Sequence, residues 1–351
     1  MRRALVLARR GAGRTAPNPM VGAVIVRDAR IVAEGFHERF GGPHAESAAL
    51  AVARDLARGS DMFVTLEPCN HQGKTPPCVD ALIKAGVRRV VAAVRDPGGE
   101  SGRGAERLCA AGIPVEFGLG DVQARELNAP FFFHASGATR PWVTLKLALS
   151  LEGTIADESR RQRTLSGVES LRYVHRLRAA SDAIGVGIGT ALADDPLLTV
   201  RYGRRAPIAP LRVVFDRGAR LSHTSRLAQS ARSVRTIVMA EHPPSNRASQ
   251  LEEVGVIVER TNGLADALQV LQRRGVQSLL IEGGATLAGA MLAAGLVDRL
   301  IIFQTPVLLG ARGLPAFGGI SRVDRLRLLE HRAFGDDLMS VYALRDLPSA
   351  P

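Results

Sequence analysis

Three short motifs between residues 44 and 78 most constrain how this chain can fold. In chain order they are His44-Ala45-Glu46, Glu67-Pro68-Cys69 and Thr75-Pro76-Pro77-Cys78. Imidazole and thiolate bind zinc readily, and a catalytic zinc site uses three protein ligands so that its fourth position can hold water. His44, Cys69 and Cys78 supply three such ligands. The fold must therefore bring separate segments of the first third of the chain to one point.

Glu46 follows the candidate ligand His44 by two residues and is the predicted catalytic residue. Zinc lowers the pKa of a bound water to near neutrality, which makes a hydroxide nucleophile available. A carboxylate beside the metal can carry the proton of that water to a ring nitrogen and to departing ammonia. The Glu of the H-x-E motif does this in zinc nucleobase deaminases without binding the metal. The motif therefore predicts hydrolytic deamination of a base-like amine, with one Zn²⁺ per chain.

Cys69 and Cys78 are separated by eight residues, whereas the usual deaminase pattern is C-x-x-C. The polar segment Asn70–Thr75 is typical of a loop that could also contact substrate. A disulfide between the two cysteines is the alternative. The chain has only three cysteines, no secretory signal and a nearby H-x-E motif, which favour zinc. The third cysteine, Cys109, is expected to be a small buried hydrophobic residue, and His71 to lie outside the ligand set.

The length and composition indicate two domains. At 351 residues, with 46% hydrophobic residues, the chain exceeds one compact core and can fill two. Small and turn-forming residues from His134 to Pro141 separate two apolar segments, so we predict domains at 1–138 and 139–351. No apolar run approaches the roughly 20 residues of a membrane helix, and the first ten residues are typical of a helix rather than a signal peptide. We expect a cytoplasmic protein without a membrane partner.

Both halves alternate strands and helices, which is typical of α/β domains. In the first half we predict strands at 21–26, 31–36, 62–66 and 89–94, and helices at 45–56 and 79–85. In the second half we predict strands at 142–149, 183–186, 211–215, 236–240 and 278–281, and helices at 168–180, 264–274 and 285–295. The two helices of the first half would each begin beside a zinc ligand, where a helix N-terminus favours thiolate and oxyanion character.

The net charge of +12 indicates anionic ligands such as phosphates, but the basic residues have a second explanation. Only three of them are lysines and forty-three are arginines, an imbalance that codon bias can produce. The arginines are spread along the chain, and no recognisable nucleic-acid module accompanies them. A deaminase of nucleic-acid bases is therefore the minor alternative, and we expect no nucleic-acid partner.

Longer motifs of the first half are similar to those of one family. They are Thr15-Ala16-Pro17-Asn18-Pro19-Met20-Val21-Gly22-Ala23-Val24-Ile25-Val26, Gly42-Pro43-His44-Ala45-Glu46 and the whole run from Leu66 to Cys78. With them the chain resembles the RibD family of bifunctional riboflavin biosynthesis proteins, whose cysteine spacing it shares. The resemblance implies a cytidine-deaminase-like three-layer α/β domain that converts 2,5-diamino-6-(5-phosphoribosylamino)pyrimidin-4(3H)-one into 5-amino-6-(5-phosphoribosylamino)uracil. It also supports a hydrogen bond from Asn18 to the pyrimidine, with an Asx turn as the alternative.

Three motifs of the second half extend the resemblance to the reductase domain of the same family. They run from Val143 to Gly153, from Gly187 to Arg201 and from Ile281 to Ala288. They imply a dihydrofolate-reductase-like α/β domain that uses NADPH to reduce the ribosyl chain to a ribityl chain. The implied cofactor-binding residues are Ala148, Thr164, Thr190, Asp194, Gly283, Gly284 and Arg217. For Arg217 the alternative is a solvated surface arginine that binds no cofactor. The implied substrate-binding residues are Gln162, Arg178, Leu198, Arg201 and Glu282.

The second half departs from its family at three positions. Glu152 stands where the family has Asp, and Gln162 and Thr164 align with the Ser and Trp of a Ser-Gln-Trp-Ile-Thr run. Loss of an aromatic surface against the cofactor would weaken NADPH binding by on the order of 1 kcal/mol. The alternative to a bifunctional enzyme is therefore an active deaminase fused to a domain that binds a phosphorylated ligand without reducing it. We also expect a homo-oligomer that binds a phosphoribosylaminopyrimidine.

Overall fold

The computed structural model describes residues 1–99, 101–159, 164–202, 208–317 and 325–347. The chain forms two compact units, the first built from Met1–Ala138 and the second from Thr139–Asp346. Each unit has its own large sheet and its own hydrophobic core. Within the described ranges, no helix is both long enough and apolar enough to cross a membrane.

The first unit contains five strands and six α-helices among its described residues. The strands are β1 (Gly22–Arg27), β2 (Arg30–Phe36), β3 (Asp61–Val64), β4 (Arg89–Ala92) and β5 (Val115–Phe117). The helices are α1 (Arg2–Ala8), α2 (Ala45–Ala53), α3 (Cys78–Ala85), α4 (Gly104–Ala110), α5 (Asp121–Leu127) and α6 (Ala129–Ala135). The strands form one sheet in the order β2-β1-β3-β4-β5. β1 is antiparallel to β2 and β3, and β3, β4 and β5 are parallel.

Helices cover both faces of this sheet. Successive side chains of a strand point to opposite faces, so neighbouring residues of β1 report on the two sides. Val24 packs with Leu7 of α1, whereas Ile25 shares a core with Ala49 of α2. The first unit therefore has the three-layer arrangement that was predicted.

The second unit is built around a larger sheet. Its strands are β6 (Trp142–Leu149), β7 (Thr154–Ala156), β8 (Ala183–Gly187), β9 (Leu211–Phe215), β10 (Thr236–Ala240), β11 (Ile257–Arg260), β12 (Ser278–Glu282), β13 (Arg299–Gln304), β14 (Leu314–Pro315), β15 (Arg327–Phe334) and β16 (Asp337–Ala343). Its helices are α7 (Val168–Ala180), α8 (Ile188–Asp194), α9 (Arg226–Gln229), α10 (Ser245–Glu253), α11 (Gly263–Arg273) and α12 (Ala285–Ala293). Nine strands pair in the order β11-β10-β9-β8-β12-β6-β13-β16-β15, and β7 pairs with β14 separately.

In this sheet order, the first seven strands, from β11 through to β13, are parallel to one another. The last two strands, β16 and β15, continue the sheet in antiparallel fashion. Strand β9 is buried along its whole length. Its Val213 shares a core with Leu268 of α11, and the next residue, Val214, shares another with Leu227 of α9. Helices therefore cover both faces of the parallel part, which is why its strands are continuously apolar.

The predicted strands and helices are confirmed to within a few residues. The largest difference is at α2, which ends at Ala53 and is followed by a short 3-10 helix over Arg54–Ala57. Seven strands were not predicted from the sequence, namely β5, β7, β11, β13, β14, β15 and β16. For β15 there is a physical reason, because this strand lies at the edge of the sheet and is exposed along most of its length. Such a strand lacks the alternation of apolar and polar residues on which the prediction relies.

Candidate active sites

The three predicted zinc ligands lie together in the first unit. His44 precedes α2, Cys78 begins α3, and Cys69 lies in the loop after β3. His44 Nδ1 is 3.4 Å from the Sγ atoms of both cysteines, and the three ligand atoms lie within 4.8 Å of one another. Two helices therefore begin at the site, as the sequence predicted.

This donor set fits a zinc ion. With bonds of ordinary length, a tetrahedral zinc site places its nitrogen and sulfur ligands about 3.6 Å apart. The observed 3.4 Å separations are close to that value. The other ring nitrogen of His44, Nε2, lies 3.3 Å from Thr75 Oγ1. When Nε2 donates its proton to this hydroxyl, Nδ1 is left to bind metal and the ring is held in orientation.

The two thiols differ in proton affinity. Hydrogen bonds from Cys78, whose backbone N–H donates to Cys69 Sγ across 3.4 Å, lower the pKa of Cys69 to about 4. The hydrogen bond to Cys69 and burial raise the pKa of Cys78, and the hydrogen bond to Cys69 also raises that of His44. One thiolate therefore forms readily, and the second needs the positive charge of a bound metal.

Glu46 lies in the first turn of α2 and is only 3% exposed. Burial and the charge of Cys69 raise the pKa of its carboxyl to about 7. A group with a pKa near neutrality can accept and donate a proton within one reaction cycle. Gly35 of β2 lets α2 approach closely, since a Cβ there would lie 2.3 Å from the Ala45 carbonyl oxygen. The sheet thereby fixes the helix that carries Glu46.

The loop that carries Cys69 is held by the preceding carboxylate. Glu67 is 4% exposed and accepts hydrogen bonds from the backbone N–H groups of Ala105 at 2.9 Å and Asp96 at 3.2 Å. Gly104 lies against the same loop, where a Cβ would be 1.8 Å from the Pro68 carbonyl oxygen. These supporting contacts were not predicted from the sequence, because they link residues distant in the chain.

The predicted substrate contact Asn18 is oriented by a buried histidine. His37 Nδ1 is 2.9 Å from the Pro43 carbonyl oxygen, which can only accept, so Nδ1 carries the proton. The unprotonated Nε2 then accepts from Asn18 Nδ2 at 3.4 Å. Burial lowers the pKa of His37 and so favours this neutral ring. The Asn18 side chain bonds His37 rather than a nearby backbone N–H, unlike the Asx-turn alternative.

Two neighbouring residues have different outcomes. Cys109 is exposed on α4, so the prediction that it is buried is wrong. It follows the buried Leu108 by one position, about 100° around the helix, and so faces away from the core. His71 lies outside the three-ligand group, and its Nδ1 is buried without a hydrogen-bond partner among the described residues. That unpaired atom is consistent with a contact to a ligand.

The second unit has a cavity of about 1140 Å³. It is lined by every predicted reductase-site residue that the structure describes: Ala148, Thr164, Arg178, Thr190, Asp194, Leu198, Arg201, Arg217, Glu282, Gly283 and Gly284. The remaining predicted residue, Gln162, lies outside the described residues. The cavity lies along the carboxyl ends of parallel strands β8, β9, β10 and β12, the usual position of a ligand site in an open α/β sheet.

Two of the predicted substrate residues bind each other. The Arg178 guanidinium forms a bidentate pair with the Glu282 carboxylate and donates from Nη1 to the Thr199 carbonyl oxygen at 3.0 Å. Burial raises the pKa of Glu282, but the charge and hydrogen bonds of Arg178 outweigh it, so the pKa is lowered overall. Glu282 is therefore a carboxylate at neutral pH.

The predicted cofactor residues Thr190 and Gly284 are also in contact. The Gly284 N–H, at the start of α12, donates to Thr190 Oγ1 at 3.0 Å. A phosphate that used this N–H would have to replace the hydroxyl. Arg217 lines the rim of the cavity with a side chain that is 81% exposed, and it pairs with Glu241 at 3.0 Å. Arg217 is thus a solvated arginine that can still reach a ligand at the rim.

Lys146 is a cavity residue that the site prediction missed. Burial lowers its pKa, while Glu282 acts in the opposite direction. The signal was present in β6, where Thr144, Lys146 and Ala148 alternate with buried residues and so share one face. Ala148 had been assigned to the site, so the lysine two positions earlier could have been placed there too.

Glu152, the first departure from the family pattern, does not line the cavity. Its Oε1 accepts hydrogen bonds from the backbone N–H groups of Leu309 at 3.0 Å and Gly310 at 3.1 Å. Its role in the structure is to hold a loop. Thr164, by contrast, lines the cavity. The absence of an aromatic side chain at this position therefore removes a surface that a bound cofactor could contact.

Comparison with known proteins gives matches over both units. The family described as cytidine and deoxycytidylate deaminase zinc-binding region matches residues 1–94, and that described as RibD C-terminal domain matches residues 141–340. Riboflavin biosynthesis protein RibD of Escherichia coli K12 is 39% identical, and the match covers 96% of each chain. RibD of Aquifex aeolicus is 39% identical over 88% of this chain and 87% of its own.

Two solved structures are similar over nearly the whole length. That of Acinetobacter baumannii RibD, form 1, has a TM-score of 0.83 at 37% identity and covers 97% of each chain. The Thermotoga maritima structure has a TM-score of 0.84 at 35% identity and covers 98% of this chain and 97% of its own. Both similarities extend across the two units.

The fold and its two sites define a zinc-binding deaminase domain followed by an NADPH-dependent reductase domain. The chain belongs to the RibD family of riboflavin biosynthesis proteins. It therefore has the deaminase and reductase activities of that family, and the predicted cytidine-deaminase-like and reductase domains are confirmed. The alternatives, a second domain without reductase activity and a nucleic-acid base deaminase, are not supported.

Proposed function

We propose that this enzyme deaminates 2,5-diamino-6-(5-phosphoribosylamino)pyrimidin-4(3H)-one and then reduces the product, 5-amino-6-(5-phosphoribosylamino)uracil. The main support is the convergence of His44, Cys69 and Cys78 in a chain that also places the buried Glu46 beside them. The Thermotoga maritima relative is named a diaminohydroxyphosphoribosylaminopyrimidine deaminase and 5-amino-6-(5-phosphoribosylamino)uracil reductase. The cavity of the second unit has room and charge for such a ligand with its cofactor.

In the deaminase site, His44, Cys69 and Cys78 would hold the zinc ion, which supplies a water of near-neutral pKa. The role of Glu46 would be to take a proton from such a water, whose oxygen would add to C2 of the pyrimidine, and to deliver that proton to the ring nitrogen. Glu46 would then carry the remaining proton of the added oxygen to the C2 amino group, so that the C–N bond breaks, ammonia leaves and the C2 carbonyl forms. Asn18, oriented by His37, holds the ring through its amide.

In the reductase site, the cofactor supplies a hydride to C1′ of the opened ribose. We assign NADPH binding to Ala148, Thr164, Thr190, Asp194, Arg217, Gly283 and Gly284, and substrate binding to Gln162, Arg178, Leu198, Arg201 and Glu282. Arg201 is the phosphate contact in this proposal, because its guanidinium can bind phosphate bidentately. Arg178 is not the phosphate contact in this proposal, because its guanidinium already pairs with Glu282 and donates to the Thr199 carbonyl oxygen.

The proposed division of activities is residues 1–138 for deamination and residues 139–351 for reduction. We also propose that the enzyme works in the cytoplasm as a homo-oligomer and that it uses no nucleic acid. Its three cysteines are free in the structure, which suits a reducing compartment. Sedimentation of the purified chain at several concentrations tests the oligomeric state, and a monomer at all of them would contradict it.

A two-stage assay tests the activities. Purified protein given the diaminopyrimidine phosphate should release ammonia without any nicotinamide cofactor. NADPH added afterwards should be oxidised in proportion to the ammonia released, and NADH should be oxidised more slowly. Ammonia release without NADPH consumption would contradict the reductase proposal. Absence of ammonia from zinc-loaded protein would contradict the deaminase proposal.

A further inference from the structure

Part of the segment from Asp195 to Arg201 lines the reductase cavity, and two of its residues have a strained backbone. Asp195 has a φ of 37° and Leu198 a φ of 49°, in the left-handed region that non-glycine residues rarely adopt. Leu198 is also 4% exposed and lines the cavity. A branched side chain in this region is strained and persists only where the surroundings impose it. Other parts of the fold must therefore hold this segment.

Side chains of neighbouring elements hold the segment at successive points. The buried Arg212 of β9 donates from Nη1 to the Leu197 carbonyl oxygen at 3.2 Å. Arg178 of α7 donates to the Thr199 carbonyl oxygen at 3.0 Å. These bonds fix the carbonyl groups on both sides of Leu198.

The last point of attachment is His175. It is 3% exposed, and its Nδ1 accepts a hydrogen bond from the Arg201 backbone N–H at 3.0 Å. The ring also packs nearly perpendicular to that of Tyr202, with centroids 4.9 Å apart and an interplanar angle of 82°. His175 precedes Arg178 by three residues, so the two side chains lie on the same face of α7. Helix α7 thus binds the strained segment twice.

We propose that His175 is a positioning residue of the reductase: through its neutral Nδ1 it fixes the backbone of Arg201, and so aims that guanidinium at the phosphate of the substrate. The proposal rests on the role of Arg201 under the proposed function. His175 lines no part of the cavity, so it acts through Arg201 rather than on the ligand.

The surroundings of His175 keep it in the accepting form. Arg178 on its own helix and Arg201 on the bound segment are cationic, and Glu282 of β12 is the anion that faces it. An added proton on Nδ1 would remove the acceptor that the Arg201 N–H has among the described residues and place a third cation beside two others. The tautomer with hydrogen on Nε2 is therefore the one that the site requires.

The test uses the full-length enzyme with two substitutions at one position. His175→Asn keeps an acceptor oxygen near the place of Nδ1, whereas His175→Phe keeps an aromatic ring without an acceptor. We expect His175→Phe to raise the KM for 5-amino-6-(5-phosphoribosylamino)uracil about tenfold with kcat changed by less than about threefold. His175→Asn should restore KM to within about threefold of the parent value. Ammonia release by the first unit and NADPH binding, followed by fluorescence, should be unchanged in both.

Arg201→Ala separates this inference from the proposal it rests on. We expect it to raise KM as His175→Phe does, and the double variant to be no worse than Arg201→Ala alone, because both changes remove one function. His331→Phe, on the exposed strand β15, is the matched control and should behave as the parent. If Arg201→Ala raises KM and His175→Phe does not, the positioning role is wrong. Equal impairment of His175→Asn and His175→Phe also overturns it. An unchanged KM in Arg201→Ala overturns the role of Arg201 and this inference with it.

Discussion

The Arg178 guanidinium and the Glu282 carboxylate form a bidentate ion pair, with Nε–Oε1 at 2.6 Å and Nη2–Oε2 at 2.8 Å. Each side chain is 12% exposed, and the pair joins α7 to the end of β12 at the wall of the reductase cavity. Sequence resemblance assigned both residues to the substrate. Their pairing gives the cavity a rigid charged wall before any ligand binds, so the two act as one unit.

Removing one partner of this pair should destabilise the second unit. Glu282→Gln leaves the Arg178 charge buried without a counter-charge, and we expect the free energy of unfolding of this unit to fall by about 3 kcal/mol. Urea unfolding, monitored through the loss of NADPH binding, measures this free energy of unfolding. Arg312→Gln is the control, since its pair with Glu158 is highly exposed and should contribute little. Equal effects of the two substitutions would show that the buried pair is not stabilising.

Glu46→Gln should separate catalysis from metal binding. The amide cannot carry a proton between water and the amino group, so deamination should fall at least about 100-fold. Zinc content, measured by metal analysis, should remain near one per chain because Glu46 is not among the proposed ligands. NADPH oxidation with the already deaminated compound should be unchanged. Loss of zinc in this variant would show that the carboxylate binds the metal.

The cysteines provide a matched pair of variants for the metal site. Cys69→Ser replaces a ligand thiolate of low pKa with a hydroxyl, so zinc and deamination should both be lost and the first unit should melt at lower temperature. Cys109→Ser changes an exposed thiol outside the ligand group and should retain zinc, activity and melting temperature. Removal of zinc from the parent enzyme with a chelator should reproduce the effect of Cys69→Ser. Full zinc content in Cys69→Ser would contradict the assignment.

Thr164→Trp should strengthen cofactor binding. Thr164 lines the cavity where the family has an aromatic residue, and an indole there adds a surface for the cofactor. We expect the Kd for NADPH to fall by about fivefold, which corresponds to roughly 1 kcal/mol. Fluorescence titration measures the Kd, and Thr164→Val serves as the control for loss of the hydroxyl alone. A higher Kd in Thr164→Trp would show that the backbone of this loop has adapted to a small side chain.

His175 should make the stability of the second unit depend on pH. Burial and the charges of Arg178 and Arg201 lower the pKa of His175 to about 4, against an ordinary value of about 6.5. Above pH 6.5 both the folded and the unfolded chain are neutral here, and the full stability is present. Below that pH the unfolded chain takes up a proton that the folded chain does not, so stability falls until pH 4.

The size of this effect can be measured by comparison with His175→Asn, which does not titrate. The parent should lose about 2 kcal/mol more than the variant between pH 7.5 and pH 5. Urea unfolding at the two pH values, monitored through the second unit, gives the difference. The same loss in both proteins would show that His175 is not responsible for it.

The sequence predicted the first site more completely than its surroundings. His44, Glu46, Cys69 and Cys78 were found because zinc chemistry needs those residue types and because they occur in contiguous motifs. Their supports were not found. The bonds that Ala105 donates to Glu67 and Asn18 donates to His37 join residues far apart in the chain, and a single sequence carries no signal of such contacts.

The second site shows the same limit in another way. Motif resemblance named residues that do line one cavity, but it could not tell which bind a ligand and which bind each other. Arg178 pairs with Glu282, and Gly284 bonds Thr190, because strand ends and helix starts meet at that edge of the sheet. Lys146 was missed although its strand pattern places it on the same face as Ala148.

The sequence alone determined the chemistry of this protein, because metal ligands, proton carriers and the periodicity of buried strands are local properties of the chain. The tertiary structure decided which of those groups are paired, buried or aimed at a cavity. Cys109 illustrates the difference, since its residue type favours burial and its position around α4 exposes it. His175 shows the opposite case. It belongs to no recognised motif, yet the fold brings its Nδ1 into a hydrogen bond with the Arg201 backbone N–H. Such pairings depend on contacts across the sheet and between helices, which form only when the whole domain has folded.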